Sequence, residues 1–155
     1  MKNEVIILYL KNITIIYIVA IFLISAKCSA AVSEYAIDTA KQTLNNTEGF
    51  EYPITHGDYE GAKALSNQYQ AICDDLDLYL KKNKKNMSLE NYNCIELAYS
   101  IANLRCLVLT EYIMSVQIYQ KNGKSAFYDE MINEMYSDWR KAISRRQQFH
   151  KKYGF

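Results

Sequence analysis

The chain has 155 residues, half of them hydrophobic and 23% charged, which is enough apolar material for one packed domain and too much for a disordered tail. One Pro and five Gly are too few breakers for a turn-rich β sandwich or barrel, and two His leave little room for histidine-based metal or acid–base chemistry. The net charge of +1 gives no electrostatic case for a nucleic-acid binder.

The first element in chain order is a targeting segment. Residues 5–26 are strongly apolar, interrupted only by Lys11, Asn12, Thr14 and Ser25. Lys2 and Lys11 precede the main run, and the small-residue stretch Ser25-Ala26-Lys27-Cys28-Ser29-Ala30-Ala31 follows it. A basic start, an apolar run and an Ala-rich end predict a secretory signal peptide over residues 1–30, cleaved near Ala30. Cleavage after Ala31 or Ala26 is the variant of this reading. Lys27 disfavours lipidation of Cys28, and the uninterrupted run is shorter than the roughly 20 residues of a spanning helix. Residues 31–155 are then a single helical domain with 15 basic and 16 acidic side chains.

Four helical segments follow from the periodicity of the apolar residues. The first, over 33–46, starts at Ser33 and carries Tyr35 or Ala36, then Thr39 or Ala40, then Leu44 at helical spacing. Residues 47–57 hold Gly49, Pro53 and Gly57 and read as irregular. The second segment runs from about Asp58 to Lys82, with Tyr59, Ala62, Leu65, Tyr69, Ile72, Leu76, Tyr79 and Leu80 as its stripe. The third, from Leu89 to Asn122, has Ser88 as N-cap and Gly123 just past its end. From Cys94 to Tyr119 its only charges are Glu96, Arg105 and Glu111, so it reads as a central helix buried on every face. Three charges inside the run weigh against a membrane span. The fourth, over about 125–153, carries Tyr128, Met131, Met135, Trp139, Ala142, Ile143, Phe149 and Tyr153 at core spacing. The fold expected is all-α, an antiparallel bundle of about four helices around the long third one.

Export would place Cys73, Cys94 and Cys106 in an oxidising compartment. With a short connection near residue 85, residues facing each other across the second and third helices total about 171 in number. Cys94 then lies about 6 Å along the axis from the level of Cys73, and Cys106 about 12 Å. This register predicts a Cys73–Cys94 disulfide and a buried free thiol at Cys106; three unpaired core thiols are the alternative.

Catalytic sets are scarce. His56 beside Asp58 could act as an oriented base but reads better as a solvated loop residue, and His150 sits among basic residues near the chain end. Asp74, Asp75 and Asp77 share one helical turn and cannot wrap a cation as a loop does. No phosphate-binding loop, dinucleotide turn, zinc spacing or Glu-x-x-His pair occurs, so no cofactor or metal is expected. Glu96, Arg105 and Glu111 are expected as buried polar residues, held by an ion pair or a tyrosine hydrogen bond or, alternatively, serving a ligand.

Charge placement carries the functional signal. Residues 31–80 have a net charge of −7, 81–125 of +4 and 126–155 of +2. An antiparallel bundle brings Lys81, Lys82, Lys84 and Lys85 to the same pole as Arg145, Arg146, Lys151 and Lys152. A pair of solvated helix ends explains such a pole through the macrodipole; a docking surface for an anionic partner explains it equally well. Fourteen Tyr fit interface use or an AT-rich coding bias. The expected protein is an exported, periplasmic or secreted, non-enzymatic helical binding protein acting on a protein partner, with an inhibitor or immunity protein as its concrete form. In size, export and fold class it resembles small exported bacterial inhibitors and immunity proteins, whose motifs it does not match residue by residue. The alternative is a small-ligand or lipid carrier with a cavity in the bundle. No nucleic-acid partner and no transmembrane span after cleavage are expected.

Overall fold

The structure, a computed structural model, describes residues 32–155. The expected leader, its cleavage site and Cys28 lie outside them. The described elements are five α-helices, with no strand: α1 (Glu34–Asn46), α2 (Glu51–Thr55), α3 (Tyr59–Asn83), α4 (Leu89–Asn122) and α5 (Ala126–Tyr153). The protein is an all-α bundle.

Each long helix starts where a short polar side chain can accept a free amide. Ser33 Oγ accepts from Ala36 N–H, Asp58 Oδ1 from Gly61, Ser88 Oγ from Asn91 and Ser125 Oγ from Tyr128, at 2.9–3.2 Å. The ends of α4 and α5 fall at Gly123 and Gly154, with φ of 66° and 75°, a region that a Cβ disfavours. The stretch expected to be irregular contains α2. Pro53 fits there because it stands in the first turn, where its missing N–H has no helical partner to lose. Phe50 and Pro53 bury this short helix in the core.

α4 is central. It packs against α1, α3 and α5, whereas α3 and α5 make no substantial contact with each other. The peptide N–H of Ser33 donates to Asn91 Oδ1 at 2.8 Å, and Arg105 Nη1 donates to Leu44 O at 2.8 Å, so α1 runs parallel to α4. The small residues Ala36 and Ala40 let it lie close, Ala40 fully buried with Cys94, Ala98 and Ile101 and Ala36 buried against Ile95. Phe149 closes the same cluster from α5. Phe50, Tyr69, Leu109, Tyr112 and Met135 fill a second cluster, and Leu76, Leu80 and Ile95 a third. Each such side chain contributes roughly 1.5–3 kcal/mol on leaving water.

The expectation that α4 is buried on every face is corrected. Glu96, Asn103, Leu107 and Met114 recur every seven and four residues along one stripe, and all are exposed. This stripe is opposite the side that α1 covers, and no helix among the described residues lies over it. The sequence misled because Leu107 and Met114 are apolar on a face with no neighbour. By length and composition α4 would also suffice to cross a membrane, but more than half of its apolar window is buried by the other helices.

The α3–α4 register also departs from expectation. Ser66 Oγ and Thr110 Oγ1 lie 3.2 Å apart, and Gln117 Nε2 donates to Tyr59 Oη at 2.7 Å. Facing residues therefore total 176, not 171. The level of Cys73 moves to Asn103, nine residues from Cys94. At 1.5 Å per residue that is about 13 Å along the axis, too far for a bridge. Cys94 also faces away from α3, its Sγ pointing to Ala36 O at 3.9 Å. The expected Cys73–Cys94 disulfide is absent: Cys73, Cys94 and Cys106 are all buried free thiols. The helix bounds alone, Asn83 and Leu89, total 172; the side-chain pairs Ser66–Thr110 and Tyr59–Gln117, and not the midpoint of the turn, set the register.

Candidate interaction pole

Four chain segments meet at one end of the bundle: the start of α1, the end of α3, the start of α4 and the end of α5. The topology requires this, since α3 and α5 run antiparallel to α4 and α1 runs parallel to it. Between the first three lies a concavity of about 210 Å³ lined by Tyr35, Tyr79, Asn83, Asn86, Met87 and Asn91, among others. The Tyr35 and Tyr79 rings stand 6.4 Å apart at 47°. Burial and the neighbouring Tyr35 hydroxyl push the Tyr79 phenol up to about 12, so it remains a neutral donor at physiological pH. Tyr35 is 63% exposed and Leu89 69%, leaving apolar contact area at the rim.

Six lysines from the expected set gather here. Lys81 is engaged: its Nζ lies 2.5 Å from Asp77 Oδ2, and this hydrogen bond raises its pKa. Lys82, Lys85 and Lys151 are exposed and make no ion pair among the described residues. Lys84 Nζ lies 5.6 Å from the Tyr92 ring centroid and Lys152 Nζ 5.2 Å from that of Tyr153, placing cations over aromatic faces. Lys152 also lowers the pKa of the Cys94 thiol, which burial, the larger effect, raises to about 11. This places the end of α5 beside the first turns of α4.

The two arginines sit about two turns inboard and point elsewhere. Arg145 lines a groove of about 610 Å³ on the open stripe of α4, with Glu96, Tyr99 and Asn103. Arg146 donates to Phe155 O at 2.6 Å, lies 5.0 Å from the Phe155 ring centroid and pairs with Glu48 at 3.9 Å. The eight cations thus divide into a lysine pole and two separate arginine sites.

The three polar residues of α4 have different fates. Glu96 is exposed on the open stripe, which corrects its expected burial. Arg105 is 6% exposed and finds no ion pair among the described residues; it donates to Leu44 O at 2.8 Å and Thr47 Oγ1 at 3.1 Å, closing the end of α1. Its guanidinium carbon lies 5.7 Å from the Phe50 ring centroid. Burial lowers its pKa, opposed by Glu48 and Glu51. Glu111 is 7% exposed with Oε2 unpartnered. Burial first, then Asp138 and Glu134, push it up to about 7. Lys141, which opposes this rise, bonds to Asp138 at 2.5 Å.

The remaining titratable candidates are committed to local structure. His56 is exposed, with Nδ1 2.9 Å from Tyr52 O and its ring stacked on Tyr52 at 4.1 Å. Its proposed orienter, Asp58, caps α3 instead. Asp74 accepts from Gln70 at 2.8 Å, and no group of three metal-ligating side chains occurs among the described residues. The Tyr35–Tyr79 pair was missed by sequence reasoning. Tyr abundance was its only signal, and abundance does not place a ring. Comparison with protein-family models, with curated proteins and with solved structures found no match for the chain.

Proposed function

We propose that this chain is an exported, non-enzymatic binding protein that engages an acidic protein partner through its lysine pole. The observation that carries the reading is the placement of Lys82, Lys84, Lys85, Lys151 and Lys152 at the end of the bundle that also holds the Tyr- and Asn-lined concavity. Unpaired ammonium groups attract carboxylates over several ångströms, and tyrosine rims supply contact area with little entropy to lose. Inhibition of a toxin or enzyme in the same compartment is the concrete form of this function. The concavity at this pole, at about 210 Å³, falls below the roughly 300–1,000 Å³ of drug-sized ligand pockets; the groove of about 610 Å³ on the open stripe of α4 lies within that range and is lined by none of the pole's lysines.

The test is affinity capture from the compartment in which the protein resides, run in parallel with wild type and a Lys82→Gln, Lys84→Gln, Lys85→Gln variant. One stoichiometric acidic partner retained by wild type and lost by the variant supports the reading. Equal capture by both, or substrate turnover by a partner-free monomer, contradicts it.

A further inference from the structure

Cys73 and Cys106 are 2% and 4% exposed, buried on facing sides of α3 and α4. Cys106 Sγ lies 3.6 Å from Ser66 O and 3.6 Å from Gln70 Oε1. Ser66, Gln70 and Cys73 follow at steps of four and three, so they share the α3 face that looks at Cys106. The register fixed by Ser66–Thr110 and Tyr59–Gln117 places Cys73 level with Asn103, three residues from Cys106. That is about 4.5 Å along the axis. Packed helices have axes about 8–10 Å apart and Cα atoms on cylinders of about 2.3 Å radius, so facing Cα atoms are separated laterally by about 3–5 Å. Together these give a Cα separation of about 6–7 Å, inside the limit of about 7 Å for a disulfide. The two thiols also sense each other: Cys106 adds to the burial that pushes Cys73 up to about 12.

We infer that Cys73 and Cys106 are a disulfide-forming pair that staples α3 to α4 when the chain folds in an oxidising compartment. The electron acceptor is a small-molecule or protein disulfide. One thiolate attacks it to give a mixed disulfide, and the second thiolate then displaces the leaving thiol. One S–S bond forms in the protein and one breaks in the oxidant. Two S–H bonds are lost, and two electrons and two protons pass to the oxidant, which leaves as two thiols. Both cysteines have pKa values raised by burial, so the thiolate is scarce in the folded bundle and exchange belongs to the folding or locally opened chain. Cys94 takes no part, since it lies on the α1 side of α4. The inference is independent of the lysine pole.

The full chain, reduced and unfolded, is refolded in a mixture of oxidised and reduced glutathione, alkylated, and its monomeric helical fraction mapped without reduction. The expected result is a peptide pair joined from Cys73 to Cys106, with Cys94 alkylated. The pair persists in Cys94→Ser and vanishes in Cys106→Ser, and the oxidised protein unfolds at higher urea than the same protein kept reduced. A link from Cys73 to Cys94 or Cys28, or alkylation of both Cys73 and Cys106 in the refolded protein, overturns the inference. So does a urea midpoint that falls on oxidation.

Discussion

The hydroxyls of Ser66 and Thr110 lie 3.2 Å apart across the α3–α4 interface. With Tyr59 and Gln117 further along, this pair fixes how the two helices slide past each other. The same register decides which cysteines lie level with each other.

The open stripe can be read from stability. Leu109 is fully buried, whereas Leu107, two residues earlier, is 39% exposed. Leu109→Ala should destabilise by about 2–5 kcal/mol, and Leu107→Ala by no more than about 0.5–1 kcal/mol. Urea denaturation of the two variants checks this. Equal large losses would mean that α4 is covered on both sides.

Arg105 joins two helices through backbone and hydroxyl acceptors. Arg105→Met keeps much of the side-chain length but leaves Leu44 O and Thr47 Oγ1 without their donor. The expected loss is about 1.5–3 kcal/mol, with hydrogen exchange fastest at the end of α1. A neutral substitution would show that Arg105 is replaceable filling.

Glu111 gives the protein a pH dependence of defined sign. Its pKa rises from the ordinary 4.5 to about 7 on folding, so the folded state binds more protons between these values. Its contribution is therefore favourable at low pH and is lost as pH rises from about 4.5 through 7. Allowing for solvent screening, the loss is about 1–2 kcal/mol. Glu111→Gln should remove it, making the variant more stable than wild type at pH 8 and nearly level with it at pH 5. The groups that face Glu111 are Asp138, Glu134 and Lys141. Urea midpoints across this range decide the matter; a midpoint of wild type that rises from pH 5 to 8 with Glu111 as its source would contradict the assignment.

The four long helices were legible in the sequence because their signals are local, whereas the short α2 was hidden by Gly49, Pro53 and Gly57. Ser33, Asp58, Ser88 and Ser125 cap where short polar side chains precede apolar periodicity, and Gly123 and Gly154 stop helices where positive φ is needed. What sequence could not supply is relative placement. A shift of five in the α3–α4 register carries Cys94 from four to nine residues from the level of Cys73 and brings Cys106 from eight to three. The exposure of Glu96 and Leu107 depends on a neighbour that is missing from one side, which periodicity along α4 does not record. For the pole, the lysines were visible as a run and a C-terminal cluster, but Arg146 turns back to Glu48 and Phe155 through contacts distant in sequence. Tyr35 and Tyr79 are likewise brought together by the parallel seating of α1 on α4.

The most direct measurement of the central claim is the association rate of the captured partner as a function of salt. For wild type, the rate should fall as ionic strength rises from about 0.01 to 0.5 M, because the Debye length shrinks from about 30 Å to less than 8 Å. The Lys82→Gln, Lys84→Gln, Lys85→Gln variant should associate at least several-fold more slowly at low salt and show a flatter salt dependence, with its urea midpoint unchanged. A variant that binds as fast as wild type, with no effect of salt on either, would contradict a lysine pole that draws in an acidic partner.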